Sequence, residues 1–354
     1  MTTSPRDLAL LRLVAQRLAG PPAADPTEVL RELLCVQAQD HPGALTSVAL
    51  RSRGRSRAEV TAALDAGSVV RSWPMRGTLH LLPAEELHWL LELCGPRVLA
   101  GAVRRRAQVG LTEADLERGR ELATAALGGG RRLSRAALLE AIGEGVDVGG
   151  QRGYHVLWYL AQTGTLVLGP TDDGDQAFVL LDEWVPAPRR PGREEALAEL
   201  ARRYLTGHGP ATDADLARWA GLTLRDVRTG IAAVRRDLAT VEVDGRELLM
   251  APDLPDRLAA CRAEAEEAVL LLPGFDELVL GYADRTCTVP AEFAQRIVPG
   301  NNGMFRATVV HGGQAVGVWR WTGTGRNRKA APEPFTAFPA AVAAAVPQLA
   351  AALP

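Results

Sequence analysis

Two side-chain amides stand one residue apart at Gln37 and Gln39, in the stretch "LRELLCVQAQDHPGAL" (residues 30–45). A glutamine is neither an acid nor a base, but its carbonyl accepts hydrogen bonds and its NH2 donates two. Two of them can hold a water molecule and offer a dipole to developing positive charge, with no proton transferred. Residues i and i+2 lie about 200° apart around an α-helix, so the pair shares a face only where the backbone is extended. The helix opened by Asp25-Pro26 is therefore expected to run to about Gln37, with Pro42-Gly43 stopping it and Pro42 pushing His41 into extended geometry. The plainer reading of the pair is a set of solvated loop residues or helix C-cap donors. Asp40 is placed to assist water activation, against the plainer reading of an exposed acid after a helix. His41 reads as a residue that favours the dipole at a helix end, and His80 as a core histidine on a strand.

The elements that must position these residues recur along the chain. A helix over Pro5 to Leu18, a second to Gln37 and a third from Ser56, with Glu59 in a capping-box position, to Gly67 are followed by the strands "SVVRSWP" and "RGTLHLLP". Helices over Glu113 to Leu127, Ser134 to Gly143 and Gly153 to Gln162 precede "GTLVLGP", a turn at Asp172-Asp173-Gly174 and "QAFVLL". Helices over Arg193 to Leu205, Thr212 to Ala220 and Thr223 to Asp237 precede "LATVEVDGRELLM", with a hairpin turn at Asp244-Gly245. Three helices and a strand pair make the order of a winged helix-turn-helix, so the expected fold is α+β, mainly helical, with three tandem winged helices. The expected domains are 1–96, carrying the glutamine pair, 97–190 and 191–267, then a mixed cap over 268–354 with a β-hairpin turning at His311-Gly312-Gly313 and a terminal helix from Pro339.

Composition narrows the class of function. At 354 residues the chain exceeds a single common core. Cys35, Cys94, Cys261 and Cys287 are widely spaced with no CxxC, which speaks against a zinc site or a disulfide framework and for a reducing cytoplasm. No signal pattern or long apolar run points to export or a membrane, so neither a metal, a cofactor nor a membrane is expected. The formal charge of −2 hides strong clustering. Arg51, Arg53, Arg55 and Arg57 form one group, Arg104 to Arg106 another, and Arg320, Arg326, Arg328 and Lys329 a third, inside the stretch from Asn301 to Ala330 that holds no acid. A binding face needs local charge only, so a nucleic-acid partner is compatible with the net value. Arg71 and Arg76 flank Trp73 and could meet phosphate, with Trp73 itself stacking on a base or packing under the wing. "FDE" (275–277) and "YADR" (282–285) read as an internal scaffold of Asp/Arg pairs.

With the glutamine pair, "WPMRGTLHLL", "LPGFDELVLGYADR" and "VVHGGQAVGVWR" in this order, the chain resembles the AlkZ-like DNA glycosylases, relatives of YcaQ, over nearly its whole length. The third motif position is Gln39, where the YcaQ branch has aspartate; the chain thus resembles the branch that confers resistance to cross-linking agents. The resemblance implies a C-shaped array of three winged helices that binds double-stranded DNA carrying alkylated or cross-linked guanine and cleaves the N-glycosidic bond as a monomer, in the cytoplasm and associated with the nucleoid. It implies Gln37 and Gln39 as the catalytic pair, and a DNA-probing hairpin near the C-terminus at His311, Gly312 and Gly313. With Arg51, Arg53, Arg71, Arg76, Arg326, Arg328 and Lys329 these make up the expected DNA contacts. An N7-alkylguanine is already cationic and leaves without protonation, so a general acid is dispensable and two amides suffice. A non-enzymatic winged-helix DNA binder or transcriptional regulator is the alternative.

Overall fold

The computed structural model describes residues 3–172, 175–325 and 328–354. Asp173 and Gly174, in the second expected turn, and Arg326 lie outside the described residues. Helices α1 (Pro5–Ala15) and α2 (Pro26–Leu33) start as the sequence indicates, each with a proline in its first turn and a side-chain cap, Ser4 accepting from the Asp7 N–H and Asp25 from the Glu28 N–H. Here the first difference arises: α2 ends four residues early. Leu34 takes φ +67° and ψ −52°, and the Cys35 N–H donates to the Leu33 carbonyl at 2.9 Å, a γ-turn that swings the chain into the two-residue strand β1 (Val36–Gln37). The second difference follows at once: Pro42 opens a helix where a stop is expected. Asp40 is the N-cap of α3 (His41–Arg51), and Pro42 sits in its first turn, where its missing N–H has no partner to lose. His41 thus stands at a helix N-terminus, the end opposite to the one that favours a cation.

The chain continues through α4 (Arg57–Asp65), the hairpin β2 (Val69–Met75) and β3 (Thr78–Pro83), then α5 (Leu87–Gln108), α6 (Glu113–Leu127), α7 (Arg135–Gly143) and α8 (Arg152–Gln162). Strands β4 (Leu166–Asp172) and β5 (Asp175–Leu180) and the short α9 (Leu181–Trp184) lead to α10 (Arg193–Gly207), α11 (Asp213–Ala220), α12 (Leu224–Val234) and the hairpin β6 (Ala239–Val243) and β7 (Arg246–Met250). After α13 (Leu254–Glu267) come β8 (Val269–Leu272), the short α14 (Glu277–Leu280) and α15 (Ala294–Ile297), β9 (Thr308–His311), β10 (Gln314–Thr322), β11 (Lys329–Pro334) and α16 (Ala340–Ala351). Two of the hairpins turn as their sequences require: Asp244-Gly245 and Arg76-Gly77 both take positive φ at two successive residues, the geometry of a two-residue hairpin turn. Residues 96 and 97, the expected first boundary, lie inside α5.

Two compact units emerge. One gathers residues 1–59, 197–219 and 223–354; the other takes 60–196 and 220–222. Residues 1–96 therefore contribute to both. The first unit has an apolar core in which α1 packs on α13 with Leu10, Leu13, Leu254 and Val310 buried, and an antiparallel sheet in the order β11-β10-β9-β8 covered by α16. In the second, β3-β2-β4-β5 form an antiparallel sheet against α5 and α8, and Trp73 is buried among Leu116, Leu138, Leu157 and Trp158. Trp73 packs under its hairpin, so its stacking role is withdrawn. The protein is a mixed α+β molecule with small antiparallel sheets.

Candidate active site

The early end of α2 places the two amides. Extended backbone at 36–37 lets residues 37 and 39 project to one side, and the Gln37 Nε2 donates to the Gln39 Oε1 at 2.8 Å, so the two side chains form one dipolar unit. Gln37 is buried and Gln39 exposed, with Ala38 fully buried between them. Asp40 follows at the mouth of a cleft of about 180 Å³ formed by the start of α3, Pro273 and Gly274, and Trp319, Arg320, Trp321 and Arg328. Its carboxylate lies over Gly43, where a Cβ would fall 2.4 Å from the Asp40 Oδ2. Arg328 stacks on Trp321, with its guanidinium carbon 4.2 Å from the ring centroid, and Trp319 meets the edge of Trp321. Trp321 is half-exposed there and was not singled out from the sequence, while Arg57, on the same cleft, was read only as one of the first arginine cluster and not as a site residue. An exposed tryptophan under an arginine has no local sequence signature; only the pairing of β10 with β11 brings residues 321 and 328 together.

Behind the amides lie two buried carboxylates in succession. Asp276 receives Arg51 through both guanidinium nitrogens, at 2.9 and 2.8 Å, and the Ser47 hydroxyl at 2.6 Å. Arg51 also donates to the Gln16 Oε1, and the Gln16 amide in turn donates to Tyr282. Glu277 accepts from the Gln37 main-chain N–H at 2.9 Å, from Trp219 Nε1 at 2.9 Å and faces His208 Nε2 at 3.4 Å. Burial pushes the Glu277 carboxyl up, but the His208, Gln37 and Trp219 donors outweigh it and hold the group at about 2. A carboxyl lowered from 4.5 stabilises the fold above that pH and loses the contribution as pH falls towards 2, a term on the order of 3 kcal/mol. The stability gap between wild type and Glu277→Gln is thus expected to be widest at pH 6 and to shrink towards pH 3 in denaturant titrations. A gap that does not change with pH would contradict this charge state.

The expected DNA contacts divide. Arg53, Arg328 and Lys329 are exposed. Arg71 is half-buried and donates to Gln176, while Arg76, also half-buried, approaches His80, a buried histidine whose Nδ1 lies 2.8 Å from the Thr78 carbonyl. Arg51 is fully buried in its ion pair and cannot reach a phosphate; that expectation is corrected. The turn at 311–313 is corrected as well. Gly312 donates to the Ala268 carbonyl, and a Cβ on Gly313 would sit 2.8 Å from the Ala9 carbonyl, so this turn is docked on α1 and the end of α13 with His311 half-buried beside it. The exposed part of the acid-free stretch is where β10 pairs with β11, Trp321 opposite Ala330 and Thr322 opposite Lys329, next to the exposed Arg328. The "FDE" and "YADR" segments do pair with arginines, Asp276 with Arg51 and Asp284 with Arg246. Among the described residues no group of three His, Cys, Asp or Glu side chains could hold a metal, and no helix is long and apolar enough to cross a membrane.

The family model for AlkZ-like DNA glycosylases matches residues 30–354, which includes the amide pair, the buried carboxylates and the cleft. The chain belongs to the AlkZ-like DNA glycosylase family. AlkZ-like enzymes hydrolyse N-glycosyl bonds. A curated relative, the interstrand DNA cross-link repair glycosylase of Streptomyces sahachiroi, is 29% identical over 339 residues, covering 90% of this chain and 88% of its own. The solved structure of the Streptomyces sahachiroi DNA glycosylase AlkZ superposes with a TM-score of 0.80 at 26% identity, covering 100% of this chain and 96% of that one.

Proposed function

We propose that this AlkZ-like chain hydrolyses the N-glycosidic bond of N7-alkylguanine in duplex DNA, including interstrand cross-links, with Gln37 and Gln39 as its catalytic pair. The carrying observation is the hydrogen-bonded amide pair followed directly in the chain by Asp40, which lines a cleft with Trp321 and Arg328. N7 alkylation puts a positive charge on the base, so it departs without a general acid. What remains is to hold water against C1′ and to favour an oxocarbenium-like sugar, and amide dipoles in a fixed pair do both at little reorganisation cost. Asp40 is the assisting group for the water. The relative whose name states interstrand cross-link repair supports the bulky lesion class; a role in self-resistance to a cross-linking natural product is part of the same proposal. The three successive helix groups, each closed by a strand pair, support reading them as winged helices on one duplex, which a monomer can wrap.

Strand scission after alkali, on a duplex with one N7-methylguanine and on one with a nitrogen-mustard cross-link, tests the reading: base release from neither lesion would overturn it. Two further outcomes are expected. Lys329 is the only lysine of the chain, and a monofunctional enzyme forms no Schiff base, so borohydride should trap no protein–DNA adduct. An adduct lost in Lys329→Ala would make the enzyme a lyase. Replacing the exposed Arg53 and Arg328 with alanine should reduce the slope of log affinity against log salt by about 0.9 for each lost phosphate contact. An unchanged slope in fluorescence anisotropy would remove both from the interface.

A further inference from the structure

Asp276 and Glu277 take hold of the amide segment from its two sides. Asp276 binds Ser47 and Arg51 on α3, the helix that leaves the motif, while Glu277 binds the main-chain N–H of Gln37 on the strand that enters it. We propose that Glu277 is a positioning residue for the Gln37–Gln39 pair, acting through the Gln37 main-chain N–H; this rests on the amide reading given above.

Three observations support it. The strand at Gln37 is only two residues long and follows a positive-φ leucine, a conformation that costs free energy and persists only where the surroundings enforce it. Glu277 is fully buried, in a place where an apolar side chain of similar size is normally at least as stabilising as a charge, so packing alone does not account for it. Its second oxygen is held by Trp219 and faces His208, which is itself stacked on Tyr204 with ring centroids 4.7 Å apart. The carboxylate therefore has little freedom to turn, and the position of the Gln37 backbone is fixed through it. Misplacing a reacting group by about 1 Å costs on the order of 100-fold in rate.

Glu277→Gln retains size but not acceptor capacity. Its single oxygen can serve either the Gln37 N–H or Trp219 Nε1–H, and its NH2 then faces the other donor. Trp219→Phe removes the competing donor, and the alternative His208 tautomer can accept from the new NH2, so the double variant can return the oxygen to Gln37. The experiment is single-turnover release from the N7-methylguanine duplex, with DNA affinity, melting temperature and hydrogen exchange of the Gln37 amide for each variant. Glu277→Gln is expected to slow release about 100-fold with affinity kept within about threefold. Its Gln37 amide should exchange at least about tenfold faster than in wild type. Adding Trp219→Phe should restore several-fold of the rate and slow the exchange again, even as the melting temperature falls. Wild-type release and exchange in Glu277→Gln, or a double variant that loses rate in step with its melting temperature, would overturn the proposal. Exchange that follows the expected pattern while release does not would leave the clamp standing and defeat the catalytic reading of the amides instead.

Discussion

The Gln37→Ala, Gln39→Ala double variant is expected to release no measurable N7-methylguanine while binding the duplex within about threefold of wild type. Removing one preorganised dipole of this kind costs about 100- to 1,000-fold. The two side chains are hydrogen-bonded to each other, so each single variant also frees its partner to turn. The single losses should consequently sum to more than the double, as for groups that act as a unit. On the proposed reading affinity comes from phosphate contacts at exposed arginines, to which the buried Gln37 adds little. Single-turnover release with anisotropy on the same duplex separates the two effects. A collapse of affinity in the double variant would make the pair a binding element.

Arg51→Met is expected to destabilise the protein by about 3 to 5 kcal/mol, because it leaves the buried Asp276 carboxylate without its guanidinium. The loss corresponds to a fall of about 10 °C in melting temperature for a unit of this size. Asp276→Asn added to Arg51→Met should recover part of it, since the asparagine oxygen can still accept from the Leu278 N–H that Asp276 caps while its NH2 donates to the Ser47 hydroxyl oxygen. The salt dependence of DNA binding should not move in either variant. A flattened slope at unchanged stability would return Arg51 to the interface and contradict its burial.

The contrast between Arg51 and Arg53 shows what the sequence could and could not convey. Both belong to one arginine cluster, and nothing local separates them; only the chain folding back from residue 276 buries one and leaves the other in solvent. Helices over 113–127 and 135–143 were legible because caps such as the Thr112–Asp115 box sit beside clean apolar periodicity. The end of α2 was not, because "LRELLCV" continues the helical pattern through Leu34 and a γ-turn there has no composition of its own. Pro42 was ambiguous by nature, being as good a helix opener as a helix stopper. That Gln37 and Gln39 share a side was legible from their spacing and the end of the helix, while their catalytic assignment rests on the family resemblance. The carboxylates behind the pair were read as a scaffold, which holds for Asp276 with Arg51, while the contact of Glu277 with a main-chain N–H 240 residues away leaves no trace in local sequence.

The unit that carries the amides is assembled from chain segments that lie far apart, with residues 60–196 forming a unit of their own in between. During synthesis Gln39 leaves the ribosome 238 residues before Glu277, the difference between positions 277 and 39. At ordinary elongation rates that is a delay of about 10 to 50 s. Through that interval the Gln37 main-chain N–H lacks the carboxylate that accepts from it, so the two-residue strand that orients the glutamines is not yet anchored. The anchored geometry of the amide pair is thus among the last features of the protein to come into existence, after most of the polypeptide has been made.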